Sequence, residues 1–278
     1  MKYLITGAKG QLGQEIVEYL NQKKADFAAY GSKDLDITDQ KQVEAVFYDQ
    51  KPDFVIDAAA YTKVDLAEDK GKERNWSVNF QGTKNLVEAA KKNSAGFVYI
   101  STDYVFDGKK KGKYSETDPT APKNEYGKAK LAGEKAVLNS GIEAYIIRTS
   151  WVFGQYGNNF VYTMQRLAEE HPILTVVDDQ IGRPTWTRSL TEFIFHLIEK
   201  KAEFGLYNFS NAGQTSWYEF AQQILKDKAV TVEPIDSNSF PQKAYRPPYS
   251  VLDLQKAKGT GFEIIDWQTA LEKSGMMD

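Results

Sequence analysis

Cysteine is absent from this 278-residue chain, and histidine occurs only at His171 and His196. Disulfides, thiolate nucleophiles and cysteine-ligated zinc are thereby excluded, and no histidine-rich metal site can be built. Nowhere do about 18 apolar residues run together, the length a membrane-spanning helix needs. The N-terminal Met1-Lys2-Tyr3-Leu4-Ile5-Thr6-Gly7 passes straight into a glycine loop rather than a cleavable apolar segment. A soluble, unexported, cytoplasmic protein is expected. An excess of one charge is also missing: 35 Lys and Arg against 38 Asp and Glu give a net charge of −3, which leaves no footprint for nucleic acid. Lys109-Lys110-Lys111, set between glycines, reads as a solvated loop.

What is present is a core: 41% of the residues are hydrophobic, enough for a large domain carrying a smaller one. The first half alternates β-rich runs (3–6, 27–30, 54–58, 97–101, 144–148) with helical patterns (12–22, 40–48, 73–92, 124–138), the signature of a parallel sheet built from βαβ units. After about residue 151 prolines punctuate shorter elements, with helical patterns at 160–169, 188–200, 217–226 and 267–273. In such a sheet, ligands bind beyond the carboxyl ends of the strands, so the residues just after each strand are the informative ones.

After the first strand come Gly7-Ala8-Lys9-Gly10-Gln11-Leu12-Gly13. Gly7 permits a tight turn, Gly10 a close backbone approach to a pyrophosphate, and Gly13 close helix-to-strand packing. The competing reading is a turn that needs its glycines only structurally. Together with the βαβ pattern, the loop predicts a Rossmann-type doubly wound parallel sheet over residues 1–150. A smaller C-terminal α/β substrate-binding lobe is predicted over 151–278, with elements free to return to the first domain. The second strand ends without a carboxylate, at Tyr30-Gly31-Ser32-Lys33. Lys33 and Ser32 suit a 2′-phosphate, which leans the cofactor toward NADPH over NADH; an ordinary surface lysine is the alternative. Asp36 and Ile37 suit adenine, or simply precede a helix capped at Thr38 or Asp39. Small residues at Ala58, Ala59 and Ala60 let a flat cofactor lie against the backbone, unless they serve only close packing.

Tyr126 and Lys130 stand four apart, on one face of a helix. A free tyrosine titrates near ~10, and a neighbouring ammonium narrows the gap to neutral pH by stabilising the phenolate. Ser101-Thr102-Asp103 ends the fourth strand, where the Thr102 hydroxyl can polarise a substrate carbonyl. A solvated helix face is the bland alternative for the Tyr/Lys pair.

The glycine loop, the Tyr-x-x-x-Lys spacing and the strand-end Ser-Thr resemble the extended short-chain dehydrogenases. Residues 101–108, 126–134, 148–153 and 179–185 are similar to the pattern of the dTDP-4-dehydrorhamnose reductase family, over nearly the whole chain. The resemblance implies reduction, by NADPH or NADH, of the C4 keto group of a dTDP-bound 4-keto-6-deoxy sugar to give dTDP-L-rhamnose. It makes Tyr126 the proton donor, Lys130 the holder of the nicotinamide ribose and the group that lowers the tyrosine pKa, and Thr102 the partner of the reacting oxygen. Asp103 and Trp151 would contact the sugar. Gly10, Gln11, Leu12, Asp36, Ile37, Ala60, Tyr61 and Thr62 would contact the cofactor. Asn159 is a candidate for the thymine and Arg246 for the diphosphate, each with a structural role as the alternative. The family allows a homodimer; in some relatives acidic side chains hold a bridging metal, but Arg188 stands in that segment here and no metal is predicted. Two other readings stay open. One is a different nucleotide-sugar reductase or epimerase, although Asp103-Tyr104 offers only one of the two acids a dehydratase would carry. The other is a non-catalytic regulatory subunit of the same fold.

Overall fold

The computed structural model describes residues 1–277. Its first half runs β1 (Lys2–Thr6), α1 (Gln11–Gln22), β2 (Asp26–Tyr30), α2 (Gln40–Gln50), β3 (Phe54–Asp57), α3 (Val64–Ala67), α4 (Lys72–Trp76), α5 (Thr83–Lys92), β4 (Gly96–Thr102), α6 (Glu125–Ser140) and β5 (Ala144–Thr149). Where periodicity predicts one helix over 73–92, α4 passes into α5 through a wider π-type turn, Ser77–Gly82. That turn carries the buried Asn79, which accepts a hydrogen bond from Tyr61 N at 3.1 Å and donates to Tyr61 O at 3.0 Å. The chain just after β3 is thereby fixed.

The second half contains β6 (Val152–Phe153), α7 (Phe160–Glu170), β7 (Ile173–Val177), β8 (Ile181–Gly182), β9 (Thr185–Trp186), α8 (Thr187–Lys200), β10 (Gly205–Asn208), β11 (Thr215–Ser216), α9 (Trp217–Ile224), β12 (Thr231–Ile235), α10 (Gln255–Gly259) and α11 (Trp267–Lys273). Six strands form the main sheet in the order β10-β5-β4-β3-β1-β2, every neighbouring pair parallel. The chain leaves β1 toward β2 and returns on the other side as β3, so strand order reverses between β1 and β3. That reversal opens a crevice at their carboxyl ends.

Helices cover both faces of the sheet, which is why its strands read as near-continuous apolar runs. Along β1 the side chains alternate: Tyr3 and Ile5 pack with Ile16 and Leu20 of α1 and with Phe193 and Leu197 of α8, whereas Leu4 packs with Val55, Leu86 and Phe97 on the opposite face. Both α8 and β10 lie beyond residue 150, yet they complete the first layer system. The rest of the second half builds its own core around Phe153, Leu174, Val176, Phe220 and Trp267, under the parallel pair β7 and β12. The two cores meet over the carboxyl edge of the sheet.

Candidate active site

At the end of β1 the chain turns through Gly7, whose φ of +65° only glycine adopts without strain. A β-carbon there would lie 2.6 Å from the Ala58 carbonyl carbon of the neighbouring β3 segment, so the two strand ends touch backbone to backbone. Gly10 N donates to Gly7 O at 2.8 Å, and α1 starts at Gln11 with no side chain capping its first turn. Gly10, Gln11 and Leu12 face the crevice. Uncapped N–H groups at the positive end of a helix dipole suit a diphosphate. Gln11 leaves a free acceptor beside it, its Oε1 buried without a partner while its Nε2 donates to Val152 O at 3.1 Å, which suits a ribose hydroxyl. A dinucleotide fits this cradle.

The crevice has a volume of about 730 Å³ and is bounded by the strand ends, α6 and the second lobe. Its wall is set by the start of α6. Asn124 caps the helix through Gly127 N at 2.7 Å, and a β-carbon on Gly127 would lie 2.2 Å from Tyr104 O, so the helix presses directly on the turn after β4. Tyr126 is thereby placed beside Thr102 and edge-on to Tyr104, ring centroids 6.0 Å apart. Thr102 accepts from Tyr104 N at 3.1 Å and donates to Asp103 Oδ1 at 3.1 Å.

The electrostatics differ from the sequence expectation at one point. Burial, with Asp103 adding to it, pushes the Tyr126 phenol well above its usual range, and only the Thr102 hydroxyl pulls it down. Lys130 is not among the groups acting on the phenol; its ammonium lies 4.0 Å over the Tyr99 ring. Burial moves Lys130 down to about 8, against the raising influence of Asp57 and Glu134. Asp103, only 2% exposed and with Oδ2 unpartnered, is pushed up to about 6 by burial, while the nearby Ser250 and Thr102 hydroxyls act the other way. The protein therefore presents a neutral phenol, a polarising hydroxyl and a buried ammonium at one end of the cradle.

The family model described as the RmlD substrate binding domain matches residues 1–276. The chain is 41% identical to dTDP-4-dehydrorhamnose reductase of Aggregatibacter actinomycetemcomitans, over 98% of this chain and 97% of that protein. The chain belongs to the RmlD family. Crystal structures of a dTDP-4-dehydrorhamnose reductase from Clostridium acetobutylicum and of one from Bacillus anthracis in complex with NADP each share 40% identity and a TM-score of 0.95. The first comparison covers 99% of this chain and 98% of that one, the second 100% and 99%.

Within this RmlD-family fold the expected site residues separate into two groups. Gly10, Gln11, Leu12, Ala58, Ala60, Thr62, Thr102, Asp103, Tyr126, Lys130 and Trp151 line the crevice. The others lie outside it. Asp36 closes a local turn onto Thr38 (2.7 Å from its hydroxyl) and faces Arg74 at 3.9 Å. Ile37 is buried against Gly82, and the Tyr61 ring rests on Gly71. Asn159 spends its side chain as the α7 cap, accepting from Tyr162 N at 3.3 Å and donating to Gly154 O at 2.8 Å; its neighbour Asn158 faces the crevice. Arg246 grips Asp65 with both fork nitrogens, at 3.1 and 2.7 Å, and its presence holds that carboxyl down to about 2.

Several residues in and behind the crevice were not legible from local sequence. Trp217 stacks on Trp151 at 3.6 Å, and the Trp151 backbone holds a left-handed φ of +47°, a strained state for a bulky residue. Behind Lys130, Glu134 is gripped by the Arg148 fork at 2.8 and 2.7 Å and accepts from Ser101 at 2.5 Å. Asp57 had a visible signal: an acid closing an otherwise apolar strand.

Proposed function

We propose that this protein reduces the C4 keto group of dTDP-4-dehydro-6-deoxy-L-mannose to give dTDP-L-rhamnose, the last step of dTDP-rhamnose formation. What carries the reading is the juxtaposition of Thr102, a protonated Tyr126 and Lys130 at one end of a dinucleotide cradle; the names borne by the relatives support it. When bound, NADPH or NADH supplies the hydride. The Thr102 hydroxyl turns from Asp103 to donate to the C4 oxygen, Tyr126 donates to the same oxygen, and Tyr126 gives up its phenolic proton as that oxygen becomes an alcohol. Lys130 holds the ribose beside the nicotinamide, and the stacked Trp151 and Trp217 form an apolar wall for the sugar. NADPH is the better fit at the adenosine end. The exposed Lys33 follows β2, and Lys9 lies across Gly31, where an added β-carbon would come within 2.7 Å of its Cγ. The reading places the enzyme in the cytoplasm, acting on a small nucleotide sugar.

The test is loss of reduced-nicotinamide absorbance with the keto sugar generated in place by its upstream enzymes. Sugar-dependent oxidation with dTDP-L-rhamnose as product is the expected result. Tight cofactor binding without oxidation would move the assignment to another nucleotide sugar or to a regulatory subunit.

A further inference from the structure

We propose that Asp57 is a positioning residue, the buried counter-charge that keeps Lys130 an ammonium in the crevice. The inference rests on the Tyr126–Lys130 reading above and adds a residue to it. Lys130 is 2% exposed, and a charge at that depth is unfavourable unless another answers it. Its helix neighbour Glu134 does not serve, because both of its oxygens are taken by Arg148, with Ser101 on one of them. Around Lys130 and Asp57 stand Tyr99 of β4, Thr6 of β1, Thr83 of α5, Asn79 of the π turn, and Tyr126 and Glu134 of α6 itself. Asp57 is the carboxylate there whose charge no guanidinium cancels.

Asp57 is 1% exposed, yet both oxygens of its carboxylate are hydrogen-bonded. Its Oδ1 accepts from the Thr6 hydroxyl at 2.7 Å and from Ala59 N at 3.2 Å, and its Oδ2 accepts from the Thr83 hydroxyl at 3.2 Å. Three donors favour the charged form. Burial raises its pKa, and Lys130 is the largest influence lowering it, just as Asp57 is the largest influence raising that of Lys130. The geometry brings them together: Lys130 Nζ lies 4.0 Å over the Tyr99 ring, Asp57 is the partner of Tyr99 in the β3–β4 register, and both line the same crevice.

Asp57→Asn separates this role from a structural one. Asparagine keeps an oxygen for Thr6 and Ala59 and can donate to the Thr83 oxygen, so the ties to β1 and α5 persist while the charge is lost. For wild type and variant, NADPH affinity by fluorescence and kcat/KM for the keto sugar are measured from pH 6 to pH 10. In wild type both should decline as Lys130 loses its proton near pH 8. In Asp57→Asn the decline should begin about one pH unit lower. At pH 8 the variant should be about tenfold weaker, recovering to within about threefold of wild type at pH 6. A uniform loss at every pH, or an unmoved decline, would overturn the proposal. Should that variant fail to fold, Thr6→Val removes the shortest bond to the carboxylate and should move the decline the same way by a smaller amount; no movement would again overturn it. The binding measurement needs no sugar, so failure of the reductase reading would appear as absent turnover with the Lys130 titration still visible.

Discussion

Burial holds the Asp103 carboxyl at about 6, against an ordinary 3.8, so the folded protein binds a proton there more tightly than the unfolded chain does. Stability from this group is therefore fully present below about pH 4 and is lost as pH rises to about 6, beyond which the loss is constant. A difference of roughly two pH units corresponds to ~3 kcal/mol. Asparagine at 103 has the same shape and cannot ionise. Its oxygen can still accept from Thr102, and its amide occupies the place of the unpartnered Oδ2. Asp103→Asn should accordingly raise unfolding stability by about 1–3 kcal/mol at pH 8 and change it little at about pH 3.5. The same change removes a charged acceptor for a sugar hydroxyl and should lower kcat/KM by about 10- to 100-fold. Urea denaturation at the two pH values, with a parallel turnover assay, reads both effects. A variant less stable than wild type at pH 8, or equally stabilised at both pH values, would refute the account of Asp103 as a charge held at an energetic cost for function.

Tyr126→Phe keeps the ring against Tyr104 and leaves Lys130 in place, so NADPH affinity should hold while kcat falls by about 10²–10⁴; a near-normal rate would mean that another group donates the proton. The double variant Lys9→Glu, Lys33→Glu should cut kcat/KM with NADPH by about tenfold or more and change that with NADH less than about twofold, and equal losses with both cofactors would remove these lysines from 2′-phosphate recognition. Glu134→Gln leaves the Arg148 guanidinium buried without its counter-ion, which should cost about 3–5 kcal/mol, seen as a lowered urea midpoint; a loss below about 1 kcal/mol would show that water reaches the pair.

The strands β1, β3, β4 and β5 were legible because they lie inside the sheet, are buried along most of their length and are therefore largely apolar, while the edge strand β2 shows itself by Phe27-Ala28-Ala29-Tyr30 between helical patterns; their carboxyl ends then pointed to the crevice. The sixth strand, β10, was not, since four residues reading Gly-Leu-Tyr-Asn carry no periodic signal. Its place is decided by pairing with β5, some sixty positions earlier in the chain. The proposed catalytic set comes together for a different reason: a helix fixes the Tyr126–Lys130 spacing locally, and strand-end geometry fixes Thr102. Contacts across the chain were not legible. Trp217 meets Trp151 only when α9 folds over the crevice, and Arg246 meets Asp65 across 181 positions. Asn158 and Asn159 differ by a single step in register, and the demand for a helix cap decides which one turns inward.

The direction of the Tyr126 perturbation bears on which reaction the site favours. An alkoxide is a stronger base than a phenolate, so a phenol held above its usual pKa still passes its proton to a newly reduced C4 oxygen favourably. Running the chemistry backward requires the phenolate, which burial and the nearby Asp103 both oppose. A neutral Tyr126 thus suits a reductase across the neutral range, where its proton is always available. The ammonium of Lys130, seated over the Tyr99 ring, is left in the proposed reaction to act on the cofactor ribose. Alkaline loss of activity should accordingly follow the lysine near pH 8, not the tyrosine.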